Sequence, residues 1–232
     1  MFDTPELVIF DLDNTLYDYN VANLAGEHYL MEHLKDNLRI SENEFYELWS
    51  AARVQVKETL GLSASAHSRL MYIREFLNSN KFPTYATFAL ECEQVFWRGY
   101  FDKMTLFNGV EAFISLLRLN QVKLILVTDL STQIQLRKLA WLGLEKSFDL
   151  IVTSEESGGD KVTGKSELMV KKYVEPEIGK TWSIGDSQAD HLFPSSSYFF
   201  RKVPSGKFKG LSQLEMEFSD FHDLIGLIQS SS

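Results

Sequence analysis

The chain reads as an α/β protein, a doubly wound parallel sheet interrupted by an inserted all-helical domain. Three observations carry this. Short apolar segments of strand character recur at Leu7–Phe10, Val122–Val127, Phe148–Val152 and Thr181–Ile184, and each runs into polar residues. From Asn108-Gly109 onward, helix and strand patterns alternate, as a doubly wound sheet requires. Between Asp13 and Val122 only helical spacing is found.

The first strand delivers Asp11, Asp13 and the hydroxyl of Thr15 to its C-terminal end, the end at which open α/β sheets bind ligands. Residues i and i+2 of a strand share a face, so Asp11 and Asp13 are expected side by side if the strand persists. Paired carboxylates need a divalent cation or a shared proton to relieve their repulsion. The competing reading is a strand-to-loop turn with solvated acids.

The helical stretch follows. Val21, Leu24, Ala25, His28, Met31, Leu34 and Leu38 recur at helical spacing. Ser41 with Glu44 has the form of a capping box, opening a segment with Phe45, Leu48, Trp49 and Ala52. Gly61-Leu62-Ser63 breaks that helix, and Lys81-Phe82-Pro83-Thr84 separates the next two. Tyr46, Trp49, Phe76, Phe88, Phe96 and Trp97 suit packing between helices, and Arg53, Arg69, Arg74 and Arg98 read as solvated helix-face charges. The expected boundaries place a helical domain at 19–104 and the α/β domain at 1–18 and 105–232.

The remaining strands end in chemistry. The second closes on Thr128-Asp129, the third is followed by Gly158-Gly159-Asp160-Lys161, and the fourth runs into Gly185-Asp186-Ser187-Gln188-Ala189-Asp190. Asp186 and Asp190 share a face if a helix starts there.

Carboxylate, hydroxyl, lysine and carboxylate, each after a strand and in that order, resemble the four motifs of the haloacid dehalogenase superfamily of phosphotransferases. Asp11-Leu12-Asp13-Asn14-Thr15 matches its Asp-x-Asp-x-Thr, Thr128 its strand-closing hydroxyl, Lys161 its lysine, and Gly185-Asp186 with Asp190 its acidic motif. The resemblance implies a Rossmann-like core with a helical cap of the first cap class, which closes over the site, where one of the insert's arginines could hold a leaving group. It also implies roles. Asp11 would be the nucleophile that forms an aspartyl-phosphate, and Asp13 the general acid and base. Asp11, the backbone carbonyl of Asp13, and Asp186 would hold Mg²⁺. Thr128 and Lys161 would hold the phosphoryl oxygens, and Asp190 would orient Lys161 or a metal-bound water. Dehalogenases of the superfamily lack the second acid, because halide leaves without a proton. Asp13 and Asp186 therefore point to an Mg²⁺-dependent phosphomonoester hydrolase of a small phosphorylated metabolite, with a phosphomutase as the alternative.

Two departures stand out. The family usually has Thr-Asn or Ser-Asn where this chain has Thr128-Asp129, so Asp129 should point away from the phosphate or fall in the metal's field. Lys-Pro is usual where Lys161 precedes Val162, and Lys165, four residues on, is a rival for the lysine. A further reading competes. Gly159-Asp160-Lys161-Val162-Thr163-Gly164-Lys165-Ser166 fits the nucleotide-binding P-loop pattern. Residues 154–158 separate it from its strand, and too little chain follows for the rest of a nucleotide-binding sheet.

Composition fits a compact enzyme, with 44% apolar and 24% charged residues. A net charge of −9 argues against nucleic acid or an anionic membrane as partner. The lone Cys92 excludes an internal disulfide and suits a reducing compartment. Asp3 and Glu6 stand where a signal peptide would be basic, and no apolar run reaches membrane-span length. The expected location is the cytoplasm, and nothing in the chain specifies an oligomeric state. His28, His33, His67, His191 and His222 have no metal-ligand spacing.

Overall fold

A computed structural model describes residues 4–177, 180–195 and 197–229. The elements run β1 (Leu7–Phe10), α1 (Tyr19–Leu38), α2 (Glu42–Leu60), α3 (Arg69–Ser79), α4 (Ala86–Asp102), α5 (Val110–Leu119), β2 (Lys123–Thr128), α6 (Thr132–Trp141) and β3 (Leu150–Thr153). They continue with α7 (Ser154–Ser157), α8 (Lys165–Val170), β4 (Thr181–Gly185), β5 (Ser197–Lys202), β6 (Lys209–Gly210), β7 (Glu215–Phe218) and α9 (Phe221–Gln229). Two compact units result, Met1–Asp18 with Thr105–Ser232, and Tyr19–Met104.

The first unit is built on one sheet in the order β3-β2-β1-β4-β5-β7-β6. Every pairing is parallel except β6 with β7, which is antiparallel. That exception departs from the all-parallel expectation, and its cause is the connection. The link from Gly210 to Glu215 is a tight turn with Leu211 N–H donating to the Glu215 carbonyl at 2.8 Å, and a parallel crossover needs a dozen residues or more. Strands β5 to β7 extend the sheet beyond the four segments legible in the sequence.

Side chains of β1 alternate between faces. Leu7 and Ile9 join Ile125, Val127, Val152, Val170, Leu192 and Phe193 in one buried cluster. Phe10 lies edge-on to Phe113 of α5 and to Phe148, and Phe221 of α9 packs on Phe113 and Phe218. Both faces are thus covered, which is why all four residues of β1 are buried and apolar. The register sets Phe10 level with Leu126 of β2 and Ile184 of β4. Asp11 N–H then donates to the Ile184 carbonyl at 2.8 Å. Thr128 closes β2, and Asp11 and Asp186 directly follow β1 and β4, so all three stand at the same end of the sheet.

The second unit is four helices. α2 opens on Ser41, whose side chain accepts from Glu44 N–H while Glu44 reaches back to the Ser41 N–H, a pair contributing about 1 kcal/mol. Gly61, at φ 60°, ends the helix. A Cβ at Gly26 of α1 would press on Phe96 of α4, and one at Gly99 on Ala25 and Tyr29; glycine lets these two helices meet closely. The stripe read from α1 is only partly the buried one, since Val21 and Leu24 are exposed while Asn23 and Glu27 are buried. The reason is a polar network. Asn23 Nδ2 donates to Glu27 Oε1 at 2.8 Å, as does Arg53 Nη1, and Arg69 Nη2 donates to Asn23 Oδ1 at 2.9 Å. Arg69, expected on a solvated face, is buried over the rings of Tyr19, Tyr72, Phe96 and Trp97. Cys92 is buried too, and burial beside Glu91 pushes its thiol up to about 12, leaving it inert at neutral pH. No helix among the described residues is long and apolar enough to cross a membrane.

Candidate active site

β1 ends at Phe10, so strand geometry does not persist through Asp13. The chain turns at Asn14, which has a φ of 63°, and the two carboxylates take different partners. Asp11 is buried. Its Oδ1 lies 2.5 Å from Lys161 Nζ, and its Oδ2 accepts from Thr15 Oγ1 at 2.8 Å. Asp13, with its side chain about a quarter exposed at 27%, is held by α6. Lys138 Nζ donates to its Oδ1 at 2.7 Å and Oδ2 at 2.9 Å, and Gln135 Nε2 approaches Oδ2 at 3.3 Å. The Tyr17 hydroxyl donates to Oδ1 as well.

Lys161 sits in a short 3₁₀ turn, Lys161–Thr163, and is buried. Its Nζ bridges Asp11 and Asp190. Its backbone N–H donates to Asp129 Oδ1 at 2.9 Å, so the unexpected carboxylate after Thr128 anchors the lysine turn. Lys165 points elsewhere, its Nζ donating to the Gly158 carbonyl at 2.7 Å. The P-loop match is therefore no phosphate cradle. A turn of helix, α7, separates it from β3, and its lysine folds back on its own loop.

Asp186 and Asp190 do not lie on an α-helix. Gln188–Asp190 forms a single 3₁₀ turn, and Asp190 Oδ2 accepts from Ser187 N–H and Oγ, both at 2.8 Å. This turn folds directly over Gly185, where a Cβ would overlap the Asp190 carboxyl. Thr128, buried at the end of β2, accepts from Gln135 Nε2 at 2.6 Å. Gln135 also donates to the Asp129 carbonyl at 2.6 Å; three acceptors around one nitrogen assign the amide orientation.

The electrostatics divide the acids. Burial raises Asp11 well above the usual carboxylate range; Lys161 opposes the shift, and Asp190, Asp186 and Asp13 add to it. Asp186 is raised by burial and by Asp190, against Lys161 and a hydrogen bond from Asn14. For Asp13, burial pushes upward, but the Lys138 charge and the hydrogen bonds from Lys138, Tyr17 and Gln135 outweigh it, and its carboxyl is held below the usual range. Ligand atoms of Asp11, Asp186 and Asp190 all lie within 4.8 Å of one another. Three carboxylates around one lysine leave excess negative charge, and all donors are hard oxygens, a set that suits a hard divalent cation. Asp11 and Asp190 each have both oxygens engaged within the cluster, so Asp186, with a neighbour that exchanges a protein contact for the ion, could hold one.

The family model for haloacid dehalogenase-like hydrolases matches residues 8–193. The chain belongs to that family. A ribulose-1,5-bisphosphate 5-phosphatase of Halopiger xanaduensis is 34% identical over 180 residues, 77% of this chain and 75% of that protein. A haloacid dehalogenase-type hydrolase of Bacillus subtilis, solved with magnesium bound, superposes with a TM-score of 0.66 at 20% identity, over 97% of this chain and 99% of that one. A 2-haloacid dehalogenase of Pseudomonas syringae pv. Tomato gives 0.69 at 19% identity, over the whole of both chains. At such identities these two structures speak for the fold, a haloacid dehalogenase-like scaffold that serves both hydrolase names.

Sequence reasoning missed Lys138, Gln135 and Tyr17. Gln135 and Lys138 are three residues apart and so share a face of α6, but nothing in a helix following a strand marks that face as turned toward Asp13.

Proposed function

We propose that the chain is an Mg²⁺-dependent phosphomonoester hydrolase of a small phosphorylated metabolite, working through an aspartyl-phosphate on Asp11. The observation that carries this reading is the partition of the two acids. Asp11 is gripped by Lys161 and Thr15 beside Asp186, while Asp13 stands apart on Lys138. A dehalogenase has a use for the first and none for the second, since halide departs without a proton. The 34% identical relative, whose name specifies a sugar bisphosphate, supports a sugar phosphate as the first substrate class to test.

The roles follow from the contacts. Asp11 attacks phosphorus; the bond from phosphorus to the leaving oxygen breaks, and Asp13, protonated from solvent as the substrate's negative charge arrives beside it, gives that oxygen a proton. Water then attacks the aspartyl-phosphate, Asp13 takes its proton, and phosphate departs with the Asp11 carboxylate restored. Lys161, held by Asp190, places its ammonium on the phosphoryl oxygens. Thr128, whose oxygen accepts from Gln135, turns its own proton to the same group. Asp11, Asp186 and the Asp13 carbonyl would hold Mg²⁺, which supplies positive charge that lets a carboxylate approach a phosphate.

The test is release of inorganic phosphate from 4-nitrophenyl phosphate and a panel of sugar phosphates. Turnover is expected with Mg²⁺ and not with EDTA, and Asp11→Asn should abolish it. Near wild-type activity in Asp11→Asn would overturn the covalent route. Conversion of one sugar phosphate isomer to another without free phosphate would mark a mutase.

A further inference from the structure

We infer that Lys138, with Tyr17, is the positioning residue for Asp13: it aims the carboxyl that serves the leaving oxygen. This rests on the reading of Asp13 as acid and base. Lys138 is 1% exposed, and its ammonium spans both Asp13 oxygens at 2.7 and 2.9 Å. Taking both charges out of water costs several kcal/mol per ion, and such pairs add little net stability compared with apolar residues of similar volume. A buried lysine here is explained by what it holds in place.

The geometry says which oxygen is left for the reaction. Oδ1 carries two bonds, from Lys138 and from the Tyr17 hydroxyl. Oδ2 carries Lys138 at 2.9 Å and a long contact of 3.3 Å from Gln135. Oδ2 is thus the less committed atom, and with the side chain partly exposed it is the one to pass a proton to an alkoxide. Lys138 and Tyr17 fix the rotation of the carboxyl about its Cβ–Cγ bond by pinning Oδ1. Gln135 donates to Thr128 Oγ1 as well, so the face of α6 that aims the acid also orients the phosphoryl-binding hydroxyl.

Leaving groups separate positioning from general support. 4-Nitrophenolate departs without a proton, whereas the alkoxide of benzyl phosphate, a close match in shape, needs one. If Lys138 aims Asp13, Lys138→Met should lower kcat/KM for benzyl phosphate by about 10- to 100-fold, part of the 10²–10⁴ that a general acid supplies. The loss on 4-nitrophenyl phosphate should be only a few-fold, with KM little changed for both. Tyr17→Phe, which deletes one oxygen, should show the same selectivity at smaller size, and it decides the question if Lys138→Met does not fold. Equal losses on the two substrates in folded variants would overturn the proposal. Asp13→Asn is the reference: if it too strikes both substrates equally, the fault lies in the role given to Asp13 and not in the part assigned to Lys138.

Discussion

Lys161 concentrates the site's charge balance in one side chain. Its ammonium touches Asp11 and Asp190, and its backbone is tied to Asp129; the acids around it raise its affinity for its proton despite burial. Removing it leaves Asp11, Asp186 and Asp190 uncompensated and, on the proposed mechanism, takes a donor from the phosphoryl group. Lys161→Ala is expected to lose about 10²- to 10³-fold in kcat, the usual cost of one such contact. Lys165, exposed and bonded to the Gly158 carbonyl, should cost at most a few-fold when changed to Ala. Steady-state kinetics of the two variants checks the ranking, and the reverse order would move the lysine role to Lys165. Position 129 shows how a single residue's meaning depends on its neighbours. A carboxylate near a phosphate site looks unfavourable in isolation, yet here it accepts the N–H that sets the lysine's approach.

Among the elements, the junction after β4 leaves no room for a side chain at Gly185. Gly185 ends the strand, and the 3₁₀ turn that follows brings Asp190 back against it. Gly185→Ala should push Asp190 away and loosen its grip on Lys161 while β4 itself, buried along its length, stays paired. The expected outcome is a kcat reduced at least ten-fold, in line with the sensitivity of catalysis to misplacement of about 1 Å, with near wild-type circular dichroism. A variant with full activity would show that Asp190 does not need this position. The helix-period signal at Asp186 and Asp190 misled here. Spacing of four fits an α-helix, but the Ser187 cap and close approach to Gly185 favour one short turn. The α1 stripe erred similarly. Periodicity found the helix, but the buried face was chosen by a polar network with Arg53 and Arg69, residues distant in sequence.

At the scale of the whole molecule, the acidic cluster ties stability to pH and, on the proposed reading, to Mg²⁺. Asp186 binds its proton more tightly folded than unfolded. A raised carboxylate makes stability fall as pH climbs from the ordinary carboxylate value through the raised one. In EDTA, Asp186→Asn should therefore melt above wild type at pH 7, with the gap closing as pH drops toward 4. Mg²⁺ should raise the melting temperature of wild type, since a ligand of the folded state stabilises it by mass action, and do little for the variant. Thermal melts across pH, with and without Mg²⁺, check both halves. A variant less stable than wild type at pH 7 in EDTA would show that Asp186 is not a source of repulsion.

Sequence alone was enough for the parallel core strands, the helical stretch and the family, because strand period, helical period and a polar residue after each strand are local properties of the chain. The places of Asp11, Thr128 and Asp186 were legible for the same reason, since each closes or directly follows a strand, whereas a turn of helix stands between β3 and Lys161. Tertiary structure decided which side chains meet. The partition of Asp11 and Asp13 between two lysines, 150 and 125 residues away, depends on a loop turning at Asn14 and on which face of α6 packs inward. The antiparallel edge likewise came from a short connection. These are contacts between segments far apart in sequence, and their energies are set by burial and charge in the assembled site, where no local pattern can record them.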